Sequence, residues 1–374
     1  MQGKARRGAG KPGCRMLLVR MRGGIFMNKI RDANPFKSKK RWRKKVLKVF
    51  GIIAALMAIF MLVGSILHAT YYKGKFEQIS PYGQLVEFDD GQMHLHAMGH
   101  GEPTIVLLPG MGVGLPSADF GPLMRKLSGK YTVVCVEYFG VGFSSQTSNP
   151  RTSENYVEEI RTALSKAGYK VPYVLMPHSI SSVYSEYYAA KYPQEVQAII
   201  SLDGTSTAYY AETPSIVNAI LPIAKFQQNI GFTSLLAPLV TNREVLLAYG
   251  YTEKEISDML TFAGFTMNDT IIAQMAKSGE FIKQTMVLNY PSNVPYFKII
   301  SRQTYETPNK QLNITPQEYQ QNHLLRIGQP ANYEILEGTH FIYLNNVDRI
   351  AAITDRFLLE NVRANGGLAG LDAD

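Results

Sequence analysis

Cysteine is almost missing. The 374 residues contain two, Cys14 and Cys135, too few for a disulfide framework. Cys135 stands inside the apolar run TVVCVEY, where it reads as a small buried hydrophobe and not as a nucleophile. The hydrophobic share of 45% suffices for one large domain with an insertion, or for two domains, and excludes disorder for most of the chain. Acidic residues are scarce in one place only. Residues 1–48 hold 17 of the 39 Lys and Arg and a single acid, Asp32, whereas the remainder carries 22 basic against 29 acidic residues. The formal +9 charge therefore belongs to the tail, and the body is mildly acidic. With no zinc-finger or RNA-binding motif present, nucleic acid is excluded as the expected partner.

Charge is missing altogether from residues 49–67, VFGIIAALMAIFMLVGSIL. These 19 residues match the length of a helix crossing the hydrocarbon core, so a transmembrane helix is expected here. Lys39, Lys40, Arg41, Arg43, Lys44, Lys45 and Lys48 precede it, and only Lys73 and Lys75, with Glu77, follow closely. That asymmetry predicts a cytoplasmic N-terminus (residues 1–48), a short linker (68–83) and an extracytoplasmic body, with Cys14 and Cys135 on opposite sides of the cell membrane. The alternative is a cleaved secretory signal. Its apolar stretch is usually shorter, about 7–15 residues, and only Leu67-His68-Ala69 approaches a cleavage pattern, so a retained signal-anchor is preferred. At the extreme N-terminus, Arg22-Gly23-Gly24 stands two residues ahead of Met27 and its codons could resemble a ribosome-binding site. Either Met27 is the true start or the basic tail is genuine; sequencing the mature N-terminus decides.

Strand signals are absent from another long stretch, residues 206–290. Elsewhere the body is rich in them. Residues 84–99, QLVEFDDGQMHLHAMG, alternate apolar and polar positions around Asp90-Gly91 and predict a hairpin. Compact apolar runs follow at 104–109, 131–138, 173–176, 196–202, 296–300 and 332–336, with helical segments between them, such as 155–167 and 181–191. Buried strands alternating with helices predict an α/β fold with a mostly parallel central sheet flanked by helices over residues 84–374. The strandless stretch carries apolar residues at helical spacing, as in SIVNAILPIAKF, and is too long for a plain loop, so it is expected to be an inserted helical cap.

One of those runs stops abruptly. YVLMPHSISS passes from a strand into a helix through Pro177-His178-Ser179. By itself Ser179 could equally cap the helix or be pushed above the sheet edge as a nucleophile. The loop LLPGMGVGLPSADFGPL follows the strand at 104–109, Glu337-Gly338-Thr339-His340-Phe341 follows the last one, and Ser201-Leu202-Asp203-Gly204-Thr205 ends the strand before the cap. Taken in this order, these motifs resemble the α/β-hydrolase family over roughly residues 84–363. Pro177-His178-Ser179-Ile180-Ser181 stands where that family has Gly-x-Ser-x-Gly, and Pro109-Gly110 where His-Gly is common. Glu137-Tyr-Phe-Gly140-Val-Gly142-Phe-Ser144 is similar to the family's Asp-x-x-Gly-x-Gly-x-Ser stretch, which gives Glu137 a structural role.

The resemblance implies Ser179 as nucleophile, His340 as base and, as oxyanion donors, the N–H groups of Met111 and Ile180. For the acid it offers two candidates. Asp203 ends the strand before the cap, as in pancreatic-type lipases; Glu306 is the carboxylate near the commoner position after the cap, where Thr304 stands instead. Asp203 is preferred. His94 and His96 are expected to face solvent, His178 to pack or hydrogen-bond, and His323 has no motif around it. No cofactor or metal is called for. The cap, rich in Leu, Ile, Phe and Tyr, suggests a small-molecule or lipid-like ester in an apolar pocket, with a carboxylesterase or lipase-like activity. A peptidase, thioesterase or acyltransferase activity remains open, as does a non-catalytic binding module on the same fold.

Overall fold

The computed structural model describes residues 35–210, 212–308, 312–329 and 332–361. The tail ahead of residue 35, with Cys14 and Met27, lies outside the described residues. The first helix, α1 (Pro35–Leu67), passes through a π-helical turn (His68–Tyr72) into α2 (Lys73–Glu77). It begins well before the uncharged stretch, because proline is tolerated in the first turn of a helix and no second proline follows before residue 81. Apolar side chains along the uncharged stretch stay exposed, Leu56 at 61% and Leu62 at 63%. Among the described residues this is the one helix long and apolar enough to cross a membrane.

Among the described residues, eight strands make one sheet: β1 (Gln84–Phe88), β2 (Gly91–Met98), β3 (Thr104–Leu108), β4 (Thr132–Glu137), β5 (Tyr173–Pro177), β6 (Val196–Leu202), β7 (Tyr296–Ser301) and β8 (Tyr333–Leu336). Their order is β1-β2-β4-β3-β5-β6-β7-β8. The first two strands form the hairpin, β2 pairs antiparallel with β4, and every later pairing is parallel. Parallel strands run buried on both faces, which is why they read as unbroken apolar runs. In β3, Val106 and Leu108 join one core with Val134, Leu175 and Ile199, while Ile105 and Leu107 join the other with Val133, Cys135 and Ile200. Cys135 is fully buried there, and burial raises its thiol well above the usual range.

Helices fill the crossovers. α3 (Pro116–Asp119) and α4 (Gly121–Leu127) follow β3, α5 (Ser153–Lys166) follows β4, and α6 (Ser181–Lys191) follows β5. Between β6 and β7 the described residues fold as six helices, α7 (Ser215–Asn229), α8 (Phe232–Val240), α9 (Arg243–Ala248), α10 (Glu253–Ala263), α11 (Asp269–Ala276) and α12 (Ser278–Met286). α13 (Arg302–Glu306) and α14 (Pro316–Arg326) precede β8, and α15 (Val347–Asn361) closes the described chain. Start signals explain several boundaries. Thr152 accepts the Asn155 N–H at the head of α5, and Thr252 with Glu255 forms a capping box on α10.

One core contains Tyr156 of α5 and Val183 and Tyr184 of α6; the other contains Leu123 and Met124 of α4 and Ile353 and Phe357 of α15. Phe281 of α12 packs edge-on against the stacked pair Tyr156 and Tyr184, at ring distances of 5.8 and 5.4 Å, and so seats the inserted helices on the sheet domain. Phe281→Ala should cost about 3–5 kcal/mol of stability, as deletion of a buried phenyl ring does. Leu359→Ala, at a half-exposed position of α15, should stay within about 0.5 kcal/mol. Urea unfolding of the full chain checks both, and equal losses would refute the seating role.

Candidate active site

Three strand ends converge at the carboxyl edge of the sheet. After Pro177 the chain turns sharply: His178 bridges to Leu202, and Ser179 adopts φ 56°, a left-handed conformation unusual for a residue with a Cβ. The turn is tied from both sides. The Ser179 N–H donates to the Leu202 carbonyl at 3.1 Å, and the Ser179 carbonyl accepts from the Thr205 and Ser182 N–H groups, each at 3.1 Å. The Ser181 hydroxyl, which opens α6, donates to the Pro109 carbonyl and lies 2.7 Å from the Tyr138 hydroxyl. Ser181 thus joins the turn to the loop after β3.

On that turn the Ser179 hydroxyl lies 2.8 Å from His340 Nε2. His340 Nδ1 lies 2.7 Å from Asp203 Oδ2. The imidazole is 41% exposed at its side chain and the carboxylate 1%, so one end of the chain is open and the other sealed. Asp203 accepts further bonds from the Ser301 N–H (2.8 Å), the Ser301 hydroxyl (2.9 Å) and the Thr304 hydroxyl (2.6 Å). Burial alone would raise this carboxyl, but the bonds from His340, Thr304 and Ser301 outweigh it and hold the carboxyl below the usual carboxylate range. An ionised Asp203 keeps the proton on Nδ1, which leaves Nε2 free to accept the serine proton.

Glu306 is not brought to this cluster. Its side chain is 63% exposed and pairs with Arg302 at 3.6 Å, one helical turn away. Thr304, two residues earlier, is the residue that touches Asp203.

The loop after β3 lies against the turn. A Cβ at Gly110 would stand 2.5 Å from His178 Nδ1 and 3.2 Å from Ser179 Cβ, so only glycine permits this approach. The N–H groups of Met111 and Ile180 have no hydrogen-bond partner among the described residues. Beside them is a cavity of about 350 Å³, lined by Gly112 next to Met111, Phe341 next to His340, and Met259, Met267 and Met275 of the inserted segment. Asp119 is the ionisable side chain on this wall. Burial pushes its carboxyl up to about 6, against the opposing hydrogen bond from the Tyr343 hydroxyl. The remaining wall is uncharged, which suits an apolar group better than an ion.

His178, His94, His96 and His323 occupy different environments. His178 is buried and its Nε2 lies 2.9 Å from the His340 carbonyl, which it can satisfy only as an N–H donor. Burial, followed by the neighbouring His340, pushes His178 down to about 3, so it stays neutral and keeps that tautomer. The expectation that His94 faces solvent is overturned. Gly83 donates its N–H to His94 Nε2 at 2.8 Å, Phe143 stacks edge-on at 5.0 Å, and Nδ1 lies 3.0 Å from Glu137, because the chain entering β1 folds over that face of β2. His96 is half-buried against Tyr82. Glu137 also accepts the Ser117 and Phe143 N–H groups at 3.0 and 2.7 Å, which fixes the loops on both sides of β4. His323, which has no motif around it in sequence, lies between Lys298 at 2.8 Å and Glu186 at 2.7 Å in the core. No local motif could have signalled partners 25 and 137 positions away.

Comparison with known proteins places this arrangement. A family model described as alpha/beta hydrolase fold matches residues 103–229, which span the loop after β3, the Ser179 turn and Asp203. The YbdG protein of Bacillus subtilis (strain 168) is 29% identical over 334 residues, covering 84% of this chain and 97% of its own. Among solved structures, an alpha/beta hydrolase fold protein from Burkholderia ambifaria superposes with a TM-score of 0.54 at 14% identity, over 75% of this chain and 99% of that one. Carboxylesterase CesB from Bacillus subtilis gives 0.51 at 15% identity, over 79% and 99%. The matched segment and the superposed structures show that the chain has the α/β-hydrolase fold.

Proposed function

We propose that this protein is a membrane-anchored serine hydrolase that cleaves an ester-type substrate, a small or lipid-derived acyl ester, through an acyl-enzyme. The observation that carries the reading is the hydrogen-bonded series from Ser179 through His340 to Asp203, at 2.8 and 2.7 Å, beside a largely uncharged cavity. In this reading the turn after β5 is a nucleophile elbow. Ser179 Oγ attacks the ester carbonyl carbon as its proton passes to His340 Nε2, and Asp203 stabilises the imidazolium. The developing oxyanion is received by the N–H groups of Met111 and Ile180. Collapse of the tetrahedral intermediate breaks the acyl–oxygen bond, and His340 returns the proton to the departing alcohol. Water then attacks the acyl-enzyme by the same route and releases the acid. α1 holds the domain at the cell membrane, and the basic cluster from Lys39 to Lys48 keeps the N-terminus cytoplasmic and the hydrolase domain outside.

Ser179→Ala should abolish labelling by a fluorophosphonate probe in the membrane fraction and cut turnover of an activated p-nitrophenyl ester by about 10⁴ to 10⁶. Persistent labelling would assign the nucleophile to another serine, and no labelling of the wild type would favour a non-catalytic binding module. A screen of esters of increasing chain length, with thioester and peptide substrates alongside, separates the esterase reading from the thioesterase, acyltransferase and peptidase ones.

The two carboxylates are told apart by isosteric variants. Asp203→Asn should lower turnover by about 10³ to 10⁴ with unchanged circular dichroism, because the amide offers His340 the wrong hydrogen-bonding group. Glu306→Gln should stay within about tenfold of wild type, about 1.4 kcal/mol in barrier height. The reverse result would move the acid to the far side of the inserted helices.

Topology is tested on intact protoplasts. Added protease should digest the domain beyond Tyr72, and protection until lysis would reverse the assigned orientation.

A further inference from the structure

Much of the apolar content of the inserted segment faces outward instead of toward the cavity. On α7, Ile216, Ile220, Ile223 and Phe226 are 60, 49, 61 and 55% exposed and lie along one helical stripe. On α8, Leu239 and Val240 are 81 and 70% exposed. Across residues 215–240 the single ionisable side chain is Lys225, and it pairs with Asp269 of α11. An apolar face of this extent without charges is unusual on a surface that meets only water.

The place of this face identifies its occupant. The last turns of α1 pack directly on the α7–α8 corner. A Cβ at Gly64 would collide with the Ile230 carbonyl, and one at Gly231 would stand 2.7 Å from the Gly64 carbonyl. One turn further, His68 stacks on Phe265 at 4.5 Å and its Nδ1 lies 3.4 Å from the Ser234 hydroxyl. Gly64 lies within the uncharged stretch, three residues before its end, and the exposed Tyr71 follows it at a position suited to the membrane interface. At a rise of about 1.5 Å per residue, the α7–α8 corner is level with the final turn of the span, not beyond it. The outward side chains of that turn, Val63 at 48% and Ile66 at 54%, continue the same apolar exposure.

We propose that the outer face of α7 and α8 is seated in the membrane leaflet from which α1 emerges, with the lipid acyl region as its partner. This rests on the anchored reading above. Amphipathic helices of this kind bury their apolar side about 5–10 Å into the headgroup–acyl boundary. The inner sides of the same helices supply Ala224 and Gln228 of α7 and Thr233 of α8 to the cavity wall. Two helices thus meet lipid on one side and the cavity on the other.

The test uses the full chain carrying Cys14→Ser, the buried Cys135 being retained, reconstituted in phosphatidylcholine–phosphatidylglycerol vesicles. Single cysteines at Ile59 in the span, Ile223, Leu239 and, as a reference, Val171 ahead of β5 at the opposite edge of the sheet are labelled with an environment-sensitive fluorophore. Doxyl lipids then quench from near the headgroup or near the bilayer centre. Labels at 223 and 239 should lose most of their fluorescence to the shallow quencher, the label at 59 should be quenched by the deep one, and the label at 171 should keep its signal. Quenching at 59 with none at 223 and 239 leaves the anchor standing and overturns this proposal. Absence of quenching at 59 overturns the anchored reading itself. Disulfide cross-linking between copies through position 239 would assign the face to a second copy and likewise overturn it. Circular dichroism of each labelled protein confirms that the fold is retained.

Discussion

A carboxylate with 1% of its side chain exposed is the constraint around which the candidate site is organised. An isolated buried charge would neutralise or unfold its surroundings, so Asp203 can remain ionised only where donors surround it. Those donors come from separate parts of the chain: Ser301 at the end of β7, Thr304 within α13 and His340 after β8. β6, β7 and β8 are neighbours in the sheet, with Leu202 opposite Ile299 and Ser301 opposite Leu336, so their carboxyl ends arrive together. The parallel sheet supplies the coincidence, and the donors keep the charge. His340 is then held at two points, its ring by Asp203 and its carbonyl by the neutral His178. Ser179 is held by a backbone conformation that its neighbours enforce. The proposed chemistry depends on this rigidity, since misplacing a reacting group by about 1 Å can cost on the order of 10²-fold in rate.

Strands were the most legible part of the chain. A parallel strand is apolar on both faces, so the runs at 196–202 and 173–176 coincide with β6 and most of β5. The Ser179, Asp203 and His340 motifs were legible because short polar punctuation after such a run marks a strand end, where side chains of α/β sheets meet ligands. What lay beyond reading was whatever covers a face. Alternation put His94 and His96 on one side of β2 but said nothing of the segment at Tyr82 and Gly83 that folds over them. Likewise, apolar richness in the inserted helices suggested a pocket lining, whereas the aliphatic side chains of α7 and α8 largely point outward and methionines line the cavity. Periodicity identifies a helix with an apolar stripe; it does not say what the stripe touches. Thr304 belongs to the same class of omission. It stood where a carboxylate was sought, and its hydroxyl in fact serves the carboxylate of the neighbouring strand.

The placement of Asp203 and its donors on either side of the inserted helices bears on how such a protein can diversify. Asp203 leaves the sheet just before the insertion, and Ser301 and Thr304 stand just after it, bonded to one another's strand ends. The boundaries of the insertion are therefore clamped by contacts that the helices themselves do not make. A lineage could lengthen, shorten or replace α7 to α12, and so remodel both cavity and outer face, while the polar cluster beneath stays as it is. Exchange of this module is then a modular event whose junctions are chemically marked: an aspartate at the exit from one strand, and a serine and a threonine at the exit from the next.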